Sequence, residues 1–139
     1  MKIVINGCHG GFSLSAAAVQ LWAAKKGRSC YFFKHEYEPE RWERVTLADA
    51  RTGYGWTAFD TTEEPKGKDH TWWKEHHIDN CPNEDRTDLD LIAVVEELGD
   101  AASGYCAKLK IVNIPDGTNW DIDEYDGFEH VAEKHRTWS

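Results

Sequence analysis

The sequence predicts a mixed α/β fold of the α+β kind: a β-α-β start, a C-terminal antiparallel three-stranded meander, and one mixed sheet carrying two main helices. Three observations predict it. A β-branched run, KIVIN, empties into a glycine-rich loop and restarts at helical spacing within the first 27 residues. A second helical pattern, TDLDLIAVVEELG, lies in the second half. The last third alternates apolar and polar residues about two turn signals, PDG and DG. The 139 residues suit a single domain spanning 1–139. A chain of this length buries about two thirds of the surface its unfolded form exposes, so neither disulfide nor metal is needed for folding.

Residues 2–6 read as a buried strand, because β-branched apolar residues follow one another without alternation. After the loop, Ser13 or Ser15 can cap a helix by accepting a first-turn N–H. Leu14, Ala17, Ala18, Leu21 and Trp22 then recur on one face. Lys25 and Lys26 suit the negative end of the helix dipole, and Gly27 is a natural stop. CYFFK, 30–34, reads as the second strand, and strand–helix–strand in so few residues predicts a right-handed parallel crossover. Residues 35–86 show no sustained period. RVTLADARTGYGWTAFD reads as a loose hairpin about TGYG, EEPKGKD as an exposed loop tip, and HTWWKEHH as a short helix or an aromatic patch. Thr87 with Asp90 resembles a capping box. Leu91, Val94, Val95 and Leu98 make one apolar face, widened by Leu89 and Ile92, with Gly99 or Gly104 as the end. YCAKLKIVNIP, NWDIDEY and FEHVAEKH are the three expected strands of the meander, with Asp126-Gly127 the hairpin turn between the last two.

The net charge is −9, from 16 basic and 25 acidic residues. That balance opposes generic binding to a phosphate backbone, so no direct nucleic-acid binding is expected. Cys8, Cys30, Cys81 and Cys106 are isolated and form no CxxC pair. No apolar run approaches a membrane span, and the few residues before Gly7 are too short for a signal peptide's apolar region. The expectation is a cytoplasmic protein with reduced thiols, with a homo-oligomer possible.

The opening loop is the first candidate for chemistry. A strand that feeds glycines and a serine-capped helix start sets free N–H groups at a positive dipole end, which suits an anion. The sequence GCHGG fits neither dinucleotide nor Walker spacing, and a tight turn with glycine at positive φ is the alternative. Gly10, Gly11 and Ser13 are the candidate phosphate ligands, joined by Arg44 and Arg51 as charged partners. Trp56, Trp72 and Trp73, among seven tryptophans in the chain, are the candidates for stacking a base. His70, His76, His77 and Cys81 lie close in sequence, but their spacing fits no standard zinc pattern, and neither metal nor cofactor is expected. Cys8 beside His9 reads as a nucleophile pair or as a small buried hydrophobe. Asp121, Asp123, Glu124 and Asp126 read as a divalent-cation site, an acid–base pair or a solvated strand face.

MKIVINGCHGGFSLSAAAVQLWAAKKG resembles the opening of the ribose-5-phosphate isomerase B family. His9, Gly11 and Phe12 match that family's loop, and Cys8 stands where it has an aspartate of the sugar-phosphate site. This resemblance implies a sugar-phosphate isomerase-like enzyme. A wider one covers both ends of the chain. The MKIVIN…GGFSLS start, the VVEELGDAASG…LKIVNIPDG block and the DEYDGFEHVAEKHRTW ending resemble a family of small uncharacterised bacteriophage and prophage proteins. It implies an accessory viral protein that counters host defence. Joined to the candidate residues, the leading expectation is binding and sequestration of a phosphate-bearing nucleotide signal without turnover. The alternative is a direct inhibitor, anti-CRISPR-like, that occupies the nucleic-acid-binding site of a host defence nuclease. The expected partner is thus a small phosphate-bearing ligand or a host defence protein.

Overall fold

The computed structural model describes residues 1–51 and 55–134. The chain forms two compact units, one of Met1–Leu14 with Cys81–Ser139 and one of Ser15–Asn80. Both mix helix and strand, as the α+β reading requires.

In the first unit, β1 (Lys2–Asn6) pairs antiparallel with β6 (Leu109–Asn113), Val4 standing opposite Ile111. Ile3, Val4 and Ile5 are at most 1% exposed, so the strand is covered on both faces. Helix α4 (Leu89–Leu98) packs on β1 and β6 through Leu91, Ile92, Val94 and Val95. Its cap is Asp88, whose carboxylate accepts from Leu91 N at 3.0 Å, one residue beyond the expected Thr87. Gly99 ends the helix and opens a short 3-10 turn, Gly99–Ala102. β7 (Trp120–Tyr125) and β8 (Phe128–Glu133) form a hairpin. Asp126 and Gly127, at φ 49° and 84°, make its two-residue turn, where both central residues must be left-handed.

In the second unit, α1 (Ala16–Lys25) starts at Ser15, whose hydroxyl accepts from Ala18 N at 3.1 Å. Four antiparallel strands run in the order β3-β2-β4-β5. These are β2 (Tyr31–Tyr37), β3 (Glu40–Val45), β4 (Trp56–Phe59) and β5 (His77–Ile78). Helix α2 (Leu47–Arg51) packs against α1. Thr46 and Asp49 cap its start reciprocally, the Asp49 N–H donating to Thr46 Oγ1 at 3.2 Å and the Thr46 N–H to Asp49 Oδ2 at 3.4 Å. Helix α3 (His70–His76) is capped by Asp69, which accepts from Trp72 N.

Three expectations of topology are corrected. The parallel β-α-β crossover is absent: β1 takes β6 as its antiparallel partner, and β2 belongs to a different sheet. An apolar run signals burial but carries no information about which strand satisfies its N–H and C=O groups. The three-stranded meander is a two-stranded hairpin, β7–β8: among the described residues β6 pairs with β1 and not with β7. Among the described residues, three sheets replace the single mixed one, and every pairing is antiparallel. The hairpin about TGYG is also corrected. β3 and β4 both pair with β2 rather than with each other, since α2 intervenes and carries the chain across β2. Residues 52–54 of TGYG lie outside the described residues. No described helix is long and apolar enough to cross a membrane.

Candidate functional site

The glycine loop of the first unit is a junction of packed backbone. A Cβ built on Gly10 would fall on the Cys106 carbonyl and lie 2.7 Å from Cys106 Cβ. A Cβ on Gly127, at the hairpin tip, would lie 2.5 Å from Gly11 N and 2.8 Å from the His9 carbonyl. Asn6, fully buried, ties these strands of chain together. Its amide donates to the carbonyls of Cys8 at 2.6 Å and Gly127 at 2.7 Å, and its Oδ1 accepts from Lys108 N at 2.8 Å. The Cys8 thiol lies 3.0 Å from the Cys106 carbonyl. The His9 ring rests on Phe128 at 5.2 Å and edge-on to Tyr125 at 6.4 Å. Ser13 offers its carbonyl to Gly104 N at 2.9 Å, and its hydroxyl sits over Gly104. The close approach of three backbone segments thus accounts for the glycines at 10 and 127.

The second unit gathers most of the flat side chains of its sheet on one face. Residues directly opposite each other in a ladder share a face. The register sets His35 against Trp42, Phe33 against Arg44 and Thr57, and Tyr31 against Phe59. Tyr31, Phe33, His35, Tyr37, Trp42, Arg44 and Phe59 therefore line one side. Helix α3 lays Trp72 and Trp73 on the Phe59 ring at 5.3 and 5.0 Å, and Trp73 meets Trp42 at 5.9 Å. His35 and Trp42 stack face to face, with centroids 4.1 Å apart and planes 7° off parallel. Trp42, Trp72 and Trp73 are half-buried, and Tyr37 is 80% exposed.

Two ring nitrogens on this face, Trp42 Nε1 and His35 Nε2, are buried without a hydrogen-bond partner among the described residues. The nearest carboxylate to His35 Nε2 is Glu40 Oε1 at 3.7 Å, which is an ion pair only when the imidazole is protonated. An unpaired buried polar atom costs about 1–3 kcal/mol, so the Trp42 N–H favours an acceptor and His35 Nε2 favours a donor or an acceptor according to its tautomer. Cations flank the rings. The Arg44 guanidinium lies 5.0 Å over Tyr31. Lys68 sits 5.9 Å over Trp72 while bonded to Glu63.

Beside this face, Asp60 accepts from Arg28 at 3.1 Å and pairs with His76 Nδ1 at 2.7 Å. Burial would raise the Asp60 carboxyl, but the bonds from His76 and Arg28 outweigh it and hold it below the usual carboxylate range. Burial pushes the Cys30 thiol up to about 12, against the pull of Arg28. The His77 ring packs on Phe59 and Trp73 at 5.6 and 5.7 Å. Burial lowers its basicity from the ordinary 6.5, with Asp79 opposing and Arg28 adding to the fall. The folded protein therefore holds His77 neutral at a pH where the unfolded chain protonates it. Its contribution to stability is complete above about pH 6.5 and is lost as the pH falls through the lower folded value. The urea midpoint is expected to drop between pH 7 and 5.5, and His77→Gln to flatten that drop. An equal drop in both proteins would contradict it.

The residues proposed from sequence fall in both units. Gly10, Gly11 and Ser13 belong to the first unit; Arg44, Arg51, Trp56, Trp72 and Trp73 belong to the second. Within the second, Trp72, Trp73 and Arg44 attach to the aromatic face. Trp56 does not. It stands opposite Lys34, on the other side of the sheet, edge-on to Phe32 at 5.3 Å. Arg51 is exposed at the end of α2. Among the described residues no three metal-binding side chains converge, and His76 and His77 are engaged by Asp60 and the Phe59 cluster instead. His35 and Phe59 were missed. The signal for His35 was the period-two run Tyr31, Phe33, His35, Tyr37, which continues the strand beyond Lys34. No protein-family model, curated protein or solved structure matches the chain.

Proposed function

We propose that the protein binds a nucleobase-bearing phosphate ligand on the aromatic face of the second unit and holds it without turnover. Joined to the resemblance to phage proteins, the role is sequestration of a nucleotide signal raised by host defence. The observation that carries the reading is the face-to-face His35–Trp42 stack beside Trp73, with the buried Trp42 Nε1–H lacking an acceptor and His35 Nε2 lacking a partner among the described residues. Flat rings bind any base face, at about 1–3 kcal/mol per base. Arg44 supports a phosphate role because it lies two residues along β3 from Trp42, on the same side of the sheet. Its planar fork matches two phosphate oxygens. The charged partner in this reading is Arg44; in the loop, Gly10 lies against Cys106 and Ser13 against Gly104.

The test is tryptophan fluorescence and thermal shift against a panel of mononucleotides, dinucleotides and cyclic nucleotides. At least one member is expected to quench fluorescence and raise Tm by several degrees when it far exceeds Kd. Trp42→Ala and Arg44→Ala should each weaken that ligand by about 10- to 100-fold. A flat response to the whole panel, with a host nuclease retained on the protein during purification, would favour direct inhibition and overturn the ligand reading.

A further inference from the structure

β3 is an edge strand: β2 occupies one side, and no described strand pairs with the other. Its side chains are largely exposed, with Arg41 at 60% and Glu43 at 64%. An edge of unpaired N–H and C=O groups is a template for another strand, and charges along it decide which partners are tolerated. Here the charges have a symmetry. The strand reads Glu40, Arg41, Trp42, Glu43, Arg44. Reversed about Trp42, every acid falls on a base and every base on an acid.

From this edge we infer that two copies of the chain pair through β3, antiparallel, with Trp42 opposite Trp42 on the two-fold axis. Antiparallel pairing of identical strands by a two-fold always sets one residue against itself. Centring on Trp42 sets Glu40 against Arg44 and Arg41 against Glu43, twice each. Centring on Glu40, Arg41, Glu43 or Arg44 sets that charge against its own copy. Opposite charges directly across a ladder stabilise it and like charges oppose it, so one register is selected. Within the chain Arg41 pairs with Glu36 at 3.2 Å and Glu43 at 3.6 Å, both exposed pairs and weak competitors, while Glu40 lies 3.7 Å from His35 Nε2 and Arg44 5.0 Å over Tyr31. Lys66 Nζ, 3.4 Å from the Glu40 carbonyl, touches only one end of the strand.

The pairing joins the four-stranded sheets of two copies into one continuous sheet. Glu40, Trp42 and Arg44 alternate onto the aromatic side, so the two His35–Trp42 stacks become neighbours across the axis. Each copy then contributes rings and an arginine to a shared surface. The dimer itself rests on the charge pattern and stands whether or not a nucleotide binds there.

The test uses the full chain in four charge forms, with mass read by light scattering and folding checked by circular dichroism. The parent should be a dimer. Arg41→Glu with Arg44→Glu makes the strand all acidic, and Glu40→Arg with Glu43→Arg makes it all basic. Each is expected to weaken self-association by about 100-fold or more. Mixing the two should restore a one-to-one dimer, and combining all four substitutions in one chain should restore self-pairing. Amide exchange of residues 40–45 in the parent should slow as its concentration rises, a readout that needs no variant. A monomeric parent, a dimer indifferent to the half-swaps, or exchange independent of concentration would overturn the inference. A dimer without nucleotide binding would leave it standing and remove only the ligand proposal.

Discussion

Replacing Arg86 with methionine is expected to lower the unfolding free energy by about 3–5 kcal/mol, the range for breaking one partner of a buried ion pair. Arg86 is 5% exposed, and Glu129, its partner, is 6% exposed. The guanidinium donates to both Glu129 oxygens, at 2.7 and 2.8 Å, to the Val4 carbonyl at 3.2 Å and to Asn83 Oδ1 at 2.9 Å. Its Cζ lies 3.6 Å from the Phe12 ring centroid. Glu129 also accepts from the Asn6 N–H at 2.7 Å. One side chain therefore ties β1, β8, the segment before α4 and the opening loop. Methionine keeps much of the volume and the contact with Phe12, but it strands a carboxylate with one remaining donor. The double variant Arg86→Met with Glu129→Leu should recover a large part of the loss, since apolar replacement of a whole buried pair is often neutral. Urea unfolding followed by far-UV circular dichroism reads both. A loss below about 1 kcal/mol in the single variant would mean that the pair is solvated in solution.

None of that network was legible in the chain. Arg86 sits in NEDRT, an ordinary polar turn, and Glu129 alternates with apolar neighbours as a solvated strand residue does. Forty-three positions separate them. Local pattern reports what a residue does to its own element, whereas a buried ion pair is a property of two distant elements. The same division runs through the fold. Helix α4 was visible because its apolar stripe, cap and terminal glycine lie within thirteen consecutive residues. The Asp126-Gly127 turn was visible because both left-handed positions are written by residue type. Strand partners were not. β6 reads as a half-buried strand whether it joins β7 or β1, and it pairs with β1. Trp56, Trp72 and Trp73 stand out in the sequence as stacking candidates, but their grouping needed the register. One strand, β2, sorts Trp42 to one face and Trp56 to the other through its pairing with β3 and β4.

Gly10→Ala is expected to destabilise the protein by about 4 kcal/mol or more, a size reserved for changes that backbone cannot absorb. The methyl group would land on the Cys106 carbonyl. Cys106 cannot give way easily. It already holds a left-handed φ of 66°, rare for a residue with a Cβ, and its neighbours are fixed by the bonds of Ala107 N to the Gly104 carbonyl and Lys108 N to Asn6. Gly11→Ala is the informative contrast. Gly11 has φ 90°, but a Cβ there meets nothing within 4 Å. Only backbone strain opposes it, at about 1–3 kcal/mol. The two variants separate the two meanings of a glycine-rich loop. A phosphate cradle requires both glycines for approach of the ligand, so both alanines would fold and lose the ligand. A packed junction requires Gly10 for approach of the chain itself. Thermal unfolding should then collapse for Gly10→Ala and fall modestly for Gly11→Ala, while nucleotide affinity in the folded Gly11→Ala protein stays at the parent value. Equal stability in both variants with lost affinity would return the anion to the loop and remove it from Arg44.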